Sequence, residues 1–384
     1  MDYNKKAIEL HKKHKGKFSV ASKVALKTRD DLSIAYTPGV AAVCTEIAKN
    51  KKLSWELTNR SNMVAIVTDG TAILGLGDIG PEAGMPVMEG KAIIFKEFAG
   101  VDAVPLCIKT KDVDEIVNFC KMIEPSFGGV NLEDISAPRC FEVVKRLERE
   151  LNIPVFHDDQ DGTAIVVLAA LINACRVTGK VMRKLKVVIN GSGAAGIAIA
   201  RLLMSQGVRD LILIDRIGTI YPGRKDLNPI KKEIAEKTNK RKVKGRLEEA
   251  LSGADVFIGV SVGNIVTSEM IKSMTKDAIV FAMANPIPEI MPGIALKAGA
   301  GVVGTGRSDF PNQINNALVF PGIFRGLLDG KIKTVTTEIK VAASLAIAYS
   351  IKPTRTKLLP LVTDKNVAVA VAKAIKKSSS KKGL

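Results

Sequence analysis

LKVVINGSGAAGIAIARLLMSQGVRDLILID, residues 185–215, reads as strand, tight turn, helix and strand in immediate succession. The β-branched run LKVVIN stops at Gly191-Ser192-Gly193-Ala194-Ala195-Gly196, and the helical IAIARLLMSQG follows at once. Glycines at those spacings permit a sharp turn and let a pyrophosphate approach the helix N-terminus, where unpaired backbone N–H groups converge. The next strand ends at Asp215, and an acid there can accept hydrogen bonds from the adenosine ribose hydroxyls. GxGxxG alone is weak evidence; strand, glycines, helix, strand and acid in that order are strong evidence of a dinucleotide site. Asp215 favours NAD. Arg216 beside it can pair with a 2′-phosphate, so NAD and NADP both stay open.

Downstream, helices and strands alternate as in a doubly wound parallel sheet. Helical patterns cover 226–238, 267–274 and 313–328; strands are expected at 255–260, 278–286 and 302–306. Asn285 stands before Pro286 at a strand's carboxyl end, where ligands of open α/β sheets lie. Asn315 and Asn316 start or line the next helix. A side-chain amide can donate to a carboxylate without adding charge, although capping is its commoner duty. Helical runs at 336–350 and 364–377 close the fold, and the tail KKSSSKKGL reads as disordered.

Upstream, residues 131–164 read NLEDISAPRCFEVVKRLERELNIPVFHDDQDGTA. Two acidic pairs, Glu133-Asp134 and Asp158-Asp159, flank a helix-like segment and a short strand at 153–156, with Asp161 just beyond. That helix-then-strand hairpin can bring both pairs to one place. Ionised carboxylates gathered there repel unless a cation sits among them. Hard oxygen ligands in that number suit Mg²⁺ or Mn²⁺ better than zinc. Taken singly, each pair could equally be a solvated cap. Residues 163–178 read as a long apolar helix through the interior. Earlier still, strands are expected at 63–70 and 101–108 and helices at 4–14 and 113–123. The glycine-rich 73–90 reads as a tight loop, with a helix from about Met88 placing Lys91 in its first turn. A lysine there opposes the helix dipole, so it either points to water or has its pKa lowered for proton transfer. In Tyr36-Thr37-Pro38-Gly39 the proline and glycine make a rigid bend, and Tyr36 either plugs a core edge or offers a phenol to a cleft. The fold class is therefore α/β with two domains: a smaller α/β catalytic domain over 1–154, and a Rossmann-type doubly wound domain with C-terminal helices over 155–384.

Composition narrows the function. A chain of 384 residues, 46% hydrophobic with 32 glycines, has room for a large core and fits a globular enzyme. No apolar run suggests a membrane span, and the N-terminus lacks the pattern of a secretory signal. Five cysteines without CxxC spacing suit reduced thiols in the cytoplasm. The net charge of +18 raises nucleic-acid binding, but aromatics are only 4% and no nucleic-acid signature interrupts the basic runs. A basic surface that attracts small anions explains the charge without nucleic acid or membrane.

With these motifs in view, the chain resembles the malic enzymes in their short prokaryotic form over roughly residues 15–375. The resemblance rests on YTPGVA, VTDGTAILGLGDIG, EGKA, NLEDI, FHDDQ, GSGAAG, ANPIPEI and SDFPNQINNALVFPGIFRG, in that order. It implies oxidative decarboxylation of malate to pyruvate and CO₂ with NAD or NADP and Mg²⁺ or Mn²⁺. By position it makes Glu133, Asp134 and Asp159 metal ligands, Asp158 the neighbouring acid, Lys91 the general base and Tyr36 the general acid. Asn285 and Asn316 would hold the substrate carboxylate, and a homodimer is implied with parts of each site near the subunit contact. Asp161 stands where relatives often carry His or Gln, and Arg139 replaces a commonly acidic residue. The substrate arginine of long eukaryotic forms is missing, and the phosphotransacetylase-like extension of some bacterial members is expected to be absent. The alternatives are a malolactic enzyme that keeps its NAD and releases lactate, an oxaloacetate decarboxylase, and a metal-independent amino-acid dehydrogenase. From another class comes a nucleotide-sensing regulator or nucleic-acid binder.

Overall fold

Ten strands among the described residues, 3–380 of this computed structural model, divide between two sheets. The first holds β1 (Met63–Thr68), β2 (Asp102–Cys107), β3 (Gly129–Leu132) and β4 (Val155–His157), all parallel, in the order β2-β1-β3-β4. The second holds β5 (Lys186–Asn190), β6 (Asp210–Asp215), β7 (Gly218–Thr219), β8 (Val256–Gly259), β9 (Ile279–Ala282) and β10 (Val302–Thr305). Its order is β10-β9-β8-β5-β6-β7, parallel except for the short edge strand β7. The order turns outward in both directions from β5, which makes the carboxyl end of β5 a topological switch point, the usual ligand crevice of such sheets.

One apolar core serves both sheets. Val64 and Ile66 of β1, Phe95, the helix Thr163–Thr178, and Val187 and Ile189 of β5 belong to a single cluster. Together with the turn before it, that helix is 21 residues long and apolar enough to cross a membrane, yet Ala164 to Leu171 are all buried in the protein interior. The helices Phe320–Asp329 and Thr337–Ala348 both pack on Lys365–Ser380, and the first and last also pack on helix Pro81–Ala99 of the first domain. Phe95 meets Phe320 and Phe324 at ring-centroid distances of 4.7 and 5.4 Å. Each such aromatic pair adds about 0.5–1.5 kcal/mol beyond its buried area.

Several expectations change. Strand β4, which the sequence reading put at the start of the second domain, is hydrogen-bonded into the first sheet. The helix carrying Lys91 begins at Pro81, not near Met88. Pro81 is tolerated at the helix start, where its missing N–H has no intrahelical partner, and Gly84 lies against Ile73, so a glycine-rich stretch that reads as loop is helix. The C-terminal helix runs through Ser380, beyond where disorder was expected; residues 381–384 lie outside the described residues. The helices Tyr3–His14, Arg29–Ala35 and Val40–Lys49 bury no residue at all.

Candidate active site

Parallel pairing, not a hairpin, gathers the acids. Leu132 of β3 is in register with His157 of β4, so Glu133 and Asp158 leave neighbouring strands at the same level and in the same direction. Carboxylate oxygens of Glu133, Asp134 and Asp159 lie within 4.8 Å of one another. The Asp134 N–H donates to Asp159 Oδ2 at 2.8 Å. Asp134 takes φ +52°, a left-handed conformation that is uncommon outside glycine and clusters at functional sites. Its Oδ2 is buried without a partner among the described residues. Burial first, and then the Asp159 carboxylate, push Asp134 up to about 8. Burial also raises Glu133 well above the ordinary range, with the three neighbouring aspartates adding to it and Lys91 opposing. Three convergent oxygen donors, one of them orphaned, fit a hard divalent cation and offer zinc no nitrogen or sulfur ligand.

A pH dependence follows. Asp134 binds its proton more tightly folded than unfolded, so without metal its contribution to stability falls as pH rises from the unfolded value of 3.8 through about 8. Metal-free protein should therefore lose melting temperature across that window, and Mn²⁺ should raise it most near the upper end. An equal Mn²⁺ effect at pH 5 and pH 8 would contradict this.

Lys91 lies in the middle of helix Pro81–Ala99 and is 6% exposed. Its Nζ is 2.7 Å from Glu133 Oε2, hydrogen-bonds Asp158 Oδ2, and sits 4.1 Å from the centre of the Phe320 ring. The helix dipole is not the relevant field, because Lys91 is far from the first turn. Burial works against the ammonium, but Asp158 and Glu133 outweigh it, so the lysine is held above its ordinary range, not below it. Burial lifts Asp158 to about 6 against the pull of Lys91. The turn carrying Asp158 and Asp159, Asp158–Gly162, is π-helical, a form frequent at functional sites. Gly162 is indispensable to it: a Cβ there would fall 1.8 Å from Asp158 Oδ1.

Tyr36 is not brought to this cluster. It is 66% exposed on the N-terminal arm, and its hydroxyl has no hydrogen bond among the described residues. Asn316 is: its Cβ would lie 3.3 Å from a Cβ on Gly162, beside Asp158. Asn285 follows β9 on an exposed loop, with its carbonyl against Gly75 of the first domain and its amide against Gly306. Asn315 Oδ1 caps the short 3₁₀ turn Asn316–Leu318 by accepting from Ala317 N at 2.8 Å, so capping is the duty it performs here.

At the switch point each glycine has its own reason. A Cβ on Gly191 would sit 2.5 Å from Val260 O, and one on Gly196 1.7 Å from Gly191 O. Gly193 has open space around its Cβ position, at the start of helix Ala194–Ser205. A cavity of about 220 Å³ opens there, lined by Ser192, Gly193, Phe141 and Lys231 among others. The backbone at Ala194 and Ala195 forms the first turn, whose N–H groups face no intrahelical acceptor. Asp215, however, is not a free acceptor. Its Oδ1 takes the N–H groups of Ile217 and Gly218, and its Oδ2 takes Arg224 and Lys231 at 2.5 and 2.7 Å. Arg216 is exposed.

Sequence reasoning missed some residues. Asp69, fully buried at the end of β1, pairs with Arg139 at 2.9 Å, which gives that unexpected arginine a partner beside the acidic cluster. Glu289, buried in the loop after β9, accepts from Ser261 N and Ala284 N and so ties together the loops after β8 and β9. Their one signal was an acid inside an otherwise uncharged loop, TDGTA and NPIPEI. His157 is fully buried, and burial lowers its pKa, which keeps it neutral.

Family models for the malic enzyme N-terminal domain and the malic enzyme NAD binding domain match residues 15–148 and 160–380. The chain is 54% identical over its full length to a bifunctional malic/malolactic enzyme of Bacillus subtilis, covering 95% of it. It is 53% identical over 96% of its length to an NAD-dependent malic enzyme of Geobacillus stearothermophilus, covering 78% of that protein. The crystal structure of the NAD-dependent malic enzyme of Thermotoga maritima superposes with a TM-score of 0.94 at 47% identity, covering 96% of this chain and 98% of that one. The malic enzyme of Pyrococcus horikoshii gives 0.94 at 45% identity, covering 99% and 91%. Two family models that together span nearly the whole chain, and relatives more than half identical along its length, show that this chain belongs to the malic enzyme family.

Proposed function

We propose that the protein converts malate and NAD or NADP to pyruvate, CO₂ and the reduced cofactor at the Lys91–Asp158–Glu133 cluster. The observation that carries this reading is Lys91 Nζ held between Glu133 and Asp158, beside three oxygen donors for one cation. When bound at Glu133, Asp134 and Asp159, Mg²⁺ or Mn²⁺ supplies a Lewis acid and offsets the carboxylate charge, and the nicotinamide supplies the hydride acceptor. Lys91 first passes its own proton to Asp158, the carboxylate it already pairs with and which burial lifts to about 6, and the freed amine then takes the proton of the C2 hydroxyl. Asn316 and Asn285 donate amide N–H groups to the substrate carboxylate. After CO₂ leaves, the phenol of Tyr36 protonates C3 and Lys91 reprotonates Tyr36. Initial rates with malate and each cofactor, with and without Mn²⁺, following reduced cofactor and pyruvate, test the reading. Metal-independent turnover would sink it. The Bacillus subtilis relative named as bifunctional keeps a malolactic reaction as the second reading. Lactate formed without NADH release into solution would favour that one.

Tyr36 completes this site from a second copy. The arm that carries it exposes Leu26, Leu32, Ile34 and Tyr36 itself, an apolar row that a homodimer would cover. Y36F and K91A should each be inactive alone. Mixed and allowed to exchange subunits, they should recover roughly a quarter of the wild-type rate, because half the dimers are mixed and each has one intact site of two. No recovery after exchange proven by mass spectrometry would place Tyr36 elsewhere.

Lys231 bears on the cofactor. It lines the cavity at Gly193 and shares Asp215 with Arg224, which supports reading these two cations as partners for a 2′-phosphate. K231A should lower kcat/KM for NADP relative to NAD on the order of tenfold, the worth of one charge-assisted hydrogen bond. An unchanged ratio would remove Lys231 from cofactor choice.

A further inference from the structure

Asp161 is the acid of the metal turn that no step above uses. It lies two residues beyond Asp159, in the same π-helical turn. Its Oδ1 is 2.6 Å from Lys340 Nζ, on helix Thr337–Ala348, and the two side chains are 14% and 22% exposed. The partners are 179 positions apart in sequence. That helix is itself fixed to the helix after the turn, because Ser344 Oγ donates to Ile165 O at 3.0 Å. Glu148, on helix Arg139–Glu150 of the first domain, also feels both charges: burial raises it, with Lys340 opposing and Asp161 adding to the rise. Lys340 therefore faces two carboxylates from two other elements.

We infer that Asp161 and Lys340 form a positioning pair, which clamps the far end of the Asp158–Gly162 turn to the C-terminal helices and so sets Asp158 and Asp159 for metal and for Lys91. A π turn is wider than the α-helix it interrupts and is uncommon on its own account, so it persists where surrounding contacts hold it. The near end is held by Lys91 on Asp158 and by the Asp134 N–H on Asp159. The far end has Lys340. Neutralising Asp161 also keeps a further bare negative charge away from an already repulsive cluster. Partners that orient a metal ligand without touching the metal commonly matter on the order of tenfold or more in metal affinity.

The inference rests on the metal reading above, so its test reads metal directly. Mn²⁺ would be titrated into full-length wild type, D161N, K340M, K340R and the double variant D161N/K340M, with free Mn²⁺ followed by electron paramagnetic resonance and kcat measured in parallel. D161N and K340M should each weaken Mn²⁺ binding on the order of tenfold and lower kcat, with KM for the dinucleotide unchanged. K340R should restore most of both, and the double variant should be no worse than the worse single one, as expected of one shared interaction. Unchanged Mn²⁺ affinity and kcat in both single variants, even with a lowered melting temperature, would reduce the pair to a structural tie and overturn the inference. Effects that simply add in the double variant would overturn it too. Failure of the wild type to bind Mn²⁺ would remove the metal reading along with it.

Discussion

Lys91→Ala should abolish malate turnover while leaving dinucleotide binding nearly intact. Positioned proton transfer is worth about 10²–10⁴-fold, and among the described residues Lys91 is the one cation paired with both Asp158 and Glu133. The nucleotide site is built from the other sheet, from Gly191 to Gly196 and the cavity at Gly193, so titration of NADH fluorescence should change little. Stability should change as well. Removing one partner of a buried charge cluster typically costs about 3–5 kcal/mol, because the remaining carboxylates lose their counter-charge. Here part of that cost should appear as proton uptake by Asp158 and Glu133, both already pushed up by burial. The variant should therefore melt lower at pH 8 than at pH 6 and should recover with Mn²⁺. A small primary amine added to the vacated space should restore some turnover. Near-normal turnover without any amine would remove Lys91 from the role of base.

Gly162→Ala should be nearly as damaging, although it adds one methyl group to a residue that touches no substrate in the proposed reaction. The backbone at Gly162 has φ −61° and ψ −45°, ordinary helical values, so alanine is not strained there and its helix propensity is better by about 1 kcal/mol. All of the effect is then steric. The new Cβ would lie 1.8 Å from Asp158 Oδ1 and 2.9 Å from its Cγ, and Asn316 closes the other side at 3.3 Å. Asp158 must swing away, which takes its carboxylate off Lys91. Misplacement by about 1 Å commonly costs on the order of 10²-fold in rate. Gly293→Ala, in a helix where a Cβ meets nothing within 4 Å, is the control and should leave the rate alone and the melting temperature equal or slightly raised. Equal rates for the two variants would show that Asp158 does not need its present place.

Much of the second domain was legible because its signals are local. Strand, glycine turn, helix and acid follow one another within one βαβ unit, and short-range sterics dictate each step. The parallel sheet, the dinucleotide turn and the helices 113–123 and 163–178 stand where periodicity put them. The acidic pairs were legible as a pattern, but the route by which they meet was misread. A hairpin was expected, and parallel register between β3 and β4 does it instead. Lys91 shows the opposite case. Its motif drew attention to it, but neither expected outcome, pointing to water or a pKa lowered in the first turn, holds: Lys91 is buried, the helix begins at Pro81, and the charges that act on it come from strands about forty and seventy positions away.

From the sequence alone came the family, the two-sheet α/β plan and the cast of acids, lysine and glycines, because each depends on residue type and on neighbours within a few positions. Tertiary structure decided what those residues do to one another. It spent Asp215 on Arg224 and Lys231, turned Asn315 into a cap, left Tyr36 exposed on its arm, and paired Asp161 with Lys340 across the fold. Charge and hydrogen-bond partners are chosen by distance in space, and distances between remote segments are fixed only when the strands pair and the core closes.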